Sequence, residues 1–278
     1  MIVVLQKLII VKKLFLSVAF ILATIGWLYA QKFSLGVKAG PLALKSIYGD
    51  KSEARDIDDK ATLGYYGAVF ISFPLKNHYA CVIETGFSQK GRKVLFDGGS
   101  SKNYAAYYFI DAALLLRRSF KLNLGENIPA NWFINAGPHI SYWLGGKGVV
   151  GASDNDGTAY NIKFSDEFKL GDYNTMYMIG ANRWLFGLDI GVGMTAPIKT
   201  TQRVIAELRF TWGHTYYGGP LTANYDWPLF DDRNLKANEK VLSFTVAYMW
   251  DFDLKERKKG KSNKDKEVNR KPVKQKRR

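Results

Sequence analysis

A period of two constrains this chain more than any other feature. In residues 241–252, Leu242, Phe244, Val246, Tyr248, Trp250 and Phe252 occupy every second position, with Ser243, Thr245, Ala247 and Asp251 between them. Successive side chains of a β-strand point to opposite faces, so this segment is a strand with one broad aromatic face and one small or polar face. A helix would need apolar residues three and four apart, a pattern these windows lack. The same alternation returns about eight times between Gln31 and Phe252.

Each recurrence sets an apolar row against a small or polar one. Phe33, Leu35, Val37 and Ala39 face away from Ser34, Gly36, Lys38 and Gly40, and Leu63, Tyr65, Val69, Ile71 and Phe73 from Gly64, Tyr66, Ala68 and Ser72. Tyr79, Cys81, Ile83 and Phe87 oppose Glu84, Gly86, Ser88 and Lys90. Residues 104–116 are apolar on both faces, yet Asp111 falls in the inward set. In 132–144, Trp132, Ile134, Ile140 and Tyr142 oppose Asn135, Gly137, His139 and Ser141; in 185–194, Phe186, Leu188 and Ile190 oppose Gly187, Asp189 and Gly191. Val204, Leu208, Phe210 and Trp212 oppose Glu207, Arg209 and Thr211 in 203–213.

Connections alternate in length. The links 73–79 and 195–202 are short and carry Pro74, Asn77 and Pro197, 117–131 is intermediate, and 145–175 and 215–239 are the largest polar stretches. Short turns at one end and long loops at the other characterise outer-membrane barrels, and segments of roughly 10 residues cross a bilayer when tilted. The expected fold is all-β: a transmembrane antiparallel up-and-down β-barrel of about eight strands, or ten if 173–182 supplies another pair. Closure is required, because open edges in lipid would leave backbone groups without partners.

The ends of the chain agree with export. Residues 1–30 have the form of a signal peptide, with Lys12 and Lys13 before an apolar run at 14–25 and Leu28-Tyr29-Ala30 as the cleavage site. The run is shorter than the roughly 20 residues of a spanning helix. Residues 31–252 are expected to form the barrel and 253–278 a basic, disordered periplasmic tail. The formal charge of +15 arises mostly outside the barrel, since 253–278 hold 13 Lys or Arg against 4 Asp or Glu. Nucleic acid is not the expected partner of an exported tail; a solvated extension is the first reading, and a contact with anionic lipid or a cell-wall polymer the second. The single cysteine, Cys81, excludes an internal disulfide.

The inward rows carry charges of both signs: Lys38, Lys90 and Arg209 with Glu84, Asp111, Asp189 and Glu207, joined by His139. A lumen of eight strands is filled by side chains, so these residues are expected to form an internal polar network and not an open pore. His139 and Ser141 share one face, the spacing used by His-x-Ser outer-membrane lipid deacylases, but both point inward, away from acyl chains; no catalytic residue is assigned. No cofactor or metal is expected. The histidines are isolated, Asp154-Asn155-Asp156-Gly157 lacks the later glutamate of a calcium loop, and Gly145-Gly146-Lys147-Gly148 belongs to a loop. Tyr248, Trp250 and Phe252 are expected to face lipid and to form the C-terminal signal read by the barrel-assembly machinery.

Four stretches also carry a family resemblance: Phe33-Ser34-Leu35-Gly36-Val37-Lys38-Ala39-Gly40, Glu84-Thr85-Gly86-Phe87-Ser88-Gln89-Lys90-Gly91, Asn135-Ala136-Gly137-Pro138-His139-Ile140-Ser141-Tyr142 and Phe186-Gly187-Leu188-Asp189-Ile190-Gly191. Together these resemble the PorT-like outer-membrane β-barrel proteins of Bacteroidetes, across nearly all of 31–252. The resemblance implies a Gram-negative outer-membrane location, and the alternation of short turns and long loops puts both termini in the periplasm. The shared stretches are barrel-building residues and assign no role; with no catalytic set among the residues, the expected role is non-enzymatic, structural or accessory to protein secretion or envelope assembly, through loops or tail. A narrow solute channel, a soluble lipocalin-like barrel and a lipid-modifying hydrolase are the alternatives. The basic tail departs from the family pattern, in which the chain ends near its last strand.

Overall fold

The computed structural model describes residues 32–48, 58–96, 101–123, 129–151, 157–165, 174–219, 223–224 and 236–253. The signal at 1–30, the tail after residue 253 and the Asp154–Asp156 stretch lie outside them. Among the described residues twelve strands form: β1 (Lys32–Tyr48), β2 (Asp58–Lys60), β3 (Thr62–Pro74), β4 (Tyr79–Phe96), β5 (Ser101–Asn123), β6 (Pro129–Gly151), β7 (Gly157–Phe164), β8 (Thr175–Met178), β9 (Trp184–Lys199), β10 (Gln202–Gly213), β11 (Ala223–Asn224) and β12 (Ala237–Asp253).

Eight of them close a ring. The circuit β1–β3–β4–β5–β6–β9–β10–β12 returns to β1, and every contact in it is antiparallel. The first strand is sealed to the last over nearly its whole length, from Lys32 opposite Asp253 to Tyr48 opposite Ala237. No ladder edge is left within the ring, as lipid surroundings demand. Of the stretch 173–182, the described residues 174–182 add no barrel strand: β8 pairs in parallel with β7, outside the ring.

The alternation in the sequence becomes an inside and an outside. On β12, Glu239, Val241, Thr245, Ala247 and Met249 are buried, whereas Leu242, Phe244 and Val246 are about half exposed. The outward rows of β9, β10 and β12 behave alike: Leu188, Ile190, Val192, Leu208, Phe210 and Trp212 are 38–58 % exposed. An apolar belt around a charged interior inverts the arrangement of a water-soluble barrel, and lipid is the environment that suits it.

Strand length departs from the sequence reading. Residues 117–131 and 145–151 were expected as connections, yet β5 and β6 each run for 23 residues. The stretch Gly145-Gly146-Lys147-Gly148 is therefore strand and not loop, paired with β5 through Lys147 opposite Ala106 and Gly148 opposite Ala105. Its composition concealed this, because glycines erase the alternating pattern while keeping the backbone free to pair. Gly145 has a φ of 145° and sits opposite a register shift between Tyr108 and Phe109, a bulge that only glycine enters cheaply. There β6 forks, pairing with β9 up to Tyr142 and with β7 from Gly146 onward.

At the opposite end the β3–β4 hairpin turns through Asn77 and His78, both at positive φ (57° and 64°), closed by Tyr79 N donating to the Lys76 carbonyl at 3.3 Å. Paired left-handed residues match the twist of hairpin strands. His78 is a turn residue.

Candidate functional site

The barrel interior is layered. Toward the short-turn end, Phe70, Val82, Ala113, Leu115, Phe133, Ile205, Ala247 and Met249 pack into an apolar floor. The Arg117 guanidinium lies 4.0 Å over the Phe133 ring there. Toward the long-loop end, Tyr107, Phe109, Trp143, Tyr160, Ile162 and Tyr217 belong to an apolar roof. The Trp143 ring lies 4.8 Å from Tyr107 and 5.4 Å from Tyr217. Between floor and roof sit the charges.

Arg209 is the hub. It projects inward from β10 and reaches across the lumen to β4, where Nη1 and Nη2 meet the two oxygens of Glu84 at 2.7 and 3.1 Å. It also contacts Glu207, its own same-face neighbour, at 2.7 Å and Asp189 on β9 at 3.3 Å. Lys38 from β1 joins Glu84 at 2.5 Å and Glu207 at 3.3 Å. Neutral donors complete the shell: Tyr66 on Glu84 (2.5 Å), Asn135 on Glu207 (2.9 Å) and Thr211 on Asp189 (2.6 Å). Buried ion pairs are tolerable when further hydrogen bonds occupy the remaining lone pairs.

A second knot lies toward the roof. Lys90 Nζ meets Glu239 at 2.5 Å, Ser141 at 3.3 Å and Asp111 at 3.7 Å. The Tyr217 hydroxyl donates to the other Glu239 oxygen at 2.7 Å. Tyr217 lies outside the barrel strands; burial first, then the Glu239 carboxylate, pushes its phenol well above the ordinary value, so it stays a donor. His139 links the two knots, with Nδ1 3.2 Å from Asp189, and Nε2 2.9 Å from Ser141 and 3.3 Å from Asp111.

All eight charged or titratable residues singled out in the sequence thus point inward, and Asp189 ties them into one network. Tyr248, Trp250 and Phe252 lie on the outer wall at the short-turn end, where Phe252 stacks on Phe33 at 5.1 Å and Tyr248 meets Trp250 edge-on at 4.6 Å. Sequence reasoning missed Glu239, Tyr66 and Tyr217. Glu239 keeps the parity of Ser243 but is separated from it by the inward apolar Val241, which interrupts the polar row. Tyr217 enters from a connection, held by Tyr217 N to the Ala237 carbonyl (3.0 Å) and Asn182 N to the Tyr217 carbonyl (2.9 Å), and no periodicity marks it.

Ser141, His139 and Asp189 stand in the order of a nucleophile, base and orienting carboxylate, yet the hydrogen-bond directions are wrong for that chemistry. The Ser141 hydroxyl donates to Asp111, and Lys90 donates to the same hydroxyl. His139 faces carboxylates from both ring nitrogens, which satisfies both only as a double donor and leaves no lone pair for the serine. Ser141 is fully buried. The space beside these groups is a cavity of about 30 Å³ lined by Ser88, Lys90, Asp111, His139, Asp189 and Arg209, among others, which is room for a few waters and not a passage. Among the described residues, no group of three or more His, Cys, Asp or Glu is placed to hold a metal ion.

A closed ring of eight antiparallel strands, apolar outside and ion-paired within, defines a membrane-spanning β-barrel. Residues 29–217 match the family model of the outer membrane protein beta-barrel domain, and the chain belongs to that family. It is an outer-membrane protein with the lipid bilayer around its outer face. No curated protein matches the sequence. Similar solved structures include the outer membrane protein OprG from Pseudomonas aeruginosa, at 11% identity and a TM-score of 0.45, covering 79% of this chain and 95% of that one. Neisserial surface protein A shows 11% identity and a TM-score of 0.36 over 77% of this chain and 95% of its own. A major outer membrane protein from Thermus thermophilus shows 14% identity and a TM-score of 0.36 over 80% and 99%.

Proposed function

We propose that this barrel neither conducts nor catalyses, and that it serves as a structural element or as an accessory to protein secretion or envelope assembly. Its long loops, or the basic segment 253–278 on the periplasmic side, make the contacts with an envelope or secretion partner. Within the outer-membrane family its kinship is with the PorT-like branch of Bacteroidetes, on the stretches 33–40, 84–91, 135–142 and 186–191. Export proceeds through the signal at 1–30, and insertion through the C-terminal strand, with Tyr248, Trp250 and Phe252 read by the assembly machinery.

The observation that carries this reading is the obstructed lumen. An apolar floor, a layer of paired charges and an aromatic roof succeed one another along the axis. A solute path would have to separate Arg209 from Glu84 and displace Tyr217 from Glu239. The same obstruction shields Ser141 from any acyl substrate.

Conductance across planar bilayers holding the purified full chain tests the first half: no steady unitary current is expected, and a substantial single-channel current would establish the narrow-channel alternative. Deleting 253–278 and comparing the secreted proteins tests the second. A changed secreted set supports the tail as the contact, and an unchanged set moves the role to the loops.

A further inference from the structure

The bulge that splits β6 also shapes the outer wall. Gly145 and Gly146 present no side chain, and beside them Tyr65, Phe87, Tyr108 and Leu144 surround a hollow of about 480 Å³. The three aromatic rings form a ladder across β3, β4 and β5, with centroids 6.3 and 6.0 Å apart. One step toward the long-loop end, the wall opens into a second hollow of about 860 Å³, bordered by Leu63, Gln89, Tyr104, Lys147 and Val149. The two are continuous: Gln89 pairs with both Tyr65 and Tyr108, and Lys147 pairs with Ala106, two residues along from Tyr108. Lys93, paired with Tyr104, carries its ammonium 4.7 Å from that ring.

We propose that this groove binds a phosphate-bearing lipid of net negative charge from the adjoining leaflet, with an acyl chain in the aromatic hollow and the phosphate between Lys93 and Lys147. The groove is divided as such a lipid is divided, apolar in its lower half and cationic with hydroxyl and amide groups in its upper half. Charge complementarity names the occupant. Around the groove, the outward positions of β3 to β7 carry Lys93, Lys147 and, farther toward β8, Lys163 and, among the described residues of these strands, no carboxylate; Glu84 and Asp111 point inward, and the short β2 sets Lys60 opposite Lys93 and Asp58 opposite Leu95. Acyl burial alone cannot select a ligand here, because the surrounding lipid tails are as apolar as the hollow. Selectivity therefore rests on the two ammonium groups.

The test is native mass spectrometry of the full chain in detergent, titrated separately with phosphatidylglycerol and phosphatidylcholine. The expected result is one tightly retained phosphatidylglycerol and weaker retention of phosphatidylcholine, with affinity falling about fivefold for each lysine removed in Lys93→Gln and Lys147→Gln. A matched control is the pair Lys45→Gln and Lys240→Gln, which oppose each other across β1 and β12 on another part of the wall and should leave retention unchanged. Three results would overturn the proposal: equal retention of the two lipids, an equal loss in the control pair (attraction by net charge alone), or a lipid-free dimer, which would give the groove to a second copy of the chain.

Discussion

Replacing Arg209 by methionine asks how much the lumen depends on its charges. The guanidinium touches Glu84 twice (2.7 and 3.1 Å), Glu207 at 2.7 Å and Asp189 at 3.3 Å. None of these carboxylates would be left bare. Glu84 keeps Lys38 at 2.5 Å, Glu207 keeps Lys38 at 3.3 Å and Asn135 at 2.9 Å, and Asp189 keeps His139 at 3.2 Å and Thr211 at 2.6 Å. The cost is therefore that of breaking one buried pair, about 3–5 kcal/mol, and not the sum of three. Urea unfolding in lipid vesicles, followed by the loss of heat-modifiable mobility, measures it. Adding Glu84→Gln removes the charge that loses most, so the double variant should be more stable than Arg209→Met alone, with a coupling of about 0.5–3 kcal/mol. A loss below about 1 kcal/mol, the range of an exposed pair, would show that the network is solvated and the lumen open. A double variant no better than the single would show that Glu84 is not what Arg209 neutralises.

Tyr217→Phe removes the hydroxyl that closes the roof onto Glu239, and the loss of a hydrogen bond to a charged group is expected to cost about 1.5–3 kcal/mol in the same assay; no change would mean that Tyr217 is a packing residue only. Val246→Arg places a charge near the middle of the outward face of β12, 50 % exposed, and should destabilise the vesicle-embedded barrel by about 2–4 kcal/mol; indifference to the substitution would argue against a lipid-facing surface there. A fluorophosphonate serine probe should leave the folded protein unlabelled at Ser141, and labelling that disappears in Ser141→Ala would establish a reactive, accessible hydroxyl.

The ring and its inside-outside sense were legible in the sequence because they rest on parity, which a single window reveals. Lys38, Glu84, Asp111, His139, Asp189, Glu207 and Arg209 were placed by counting in twos from apolar neighbours. What parity cannot supply is the height of each residue along the axis, and therefore its partner. That Arg209 meets Glu84 and not Asp111 follows from the stagger of eight strands, which depends on loops and bulges far from either residue. The glycine segment of β6 failed for the opposite reason: without side chains there is no parity to read, although the backbone pairs normally.

The triad-like set shows why pattern and proximity do not suffice to assign chemistry. Ser141, His139 and Asp189 have the residue types, the order and distances of 2.9 and 3.2 Å, which in an open cleft would mark a hydrolase. Asp111 changes the outcome. By accepting from Ser141 and facing His139 from the other side, it sets the histidine between two carboxylates and makes the serine a relay between Lys90 and Asp111. A nucleophile requires the reverse, a neutral imidazole accepting the serine proton. The second carboxylate therefore trades reactivity for cohesion, linking the adjacent strands β5, β6 and β9. With floor and roof excluding acyl chains, the same residue types that would attack a lipid from a cleft hold the barrel together from within.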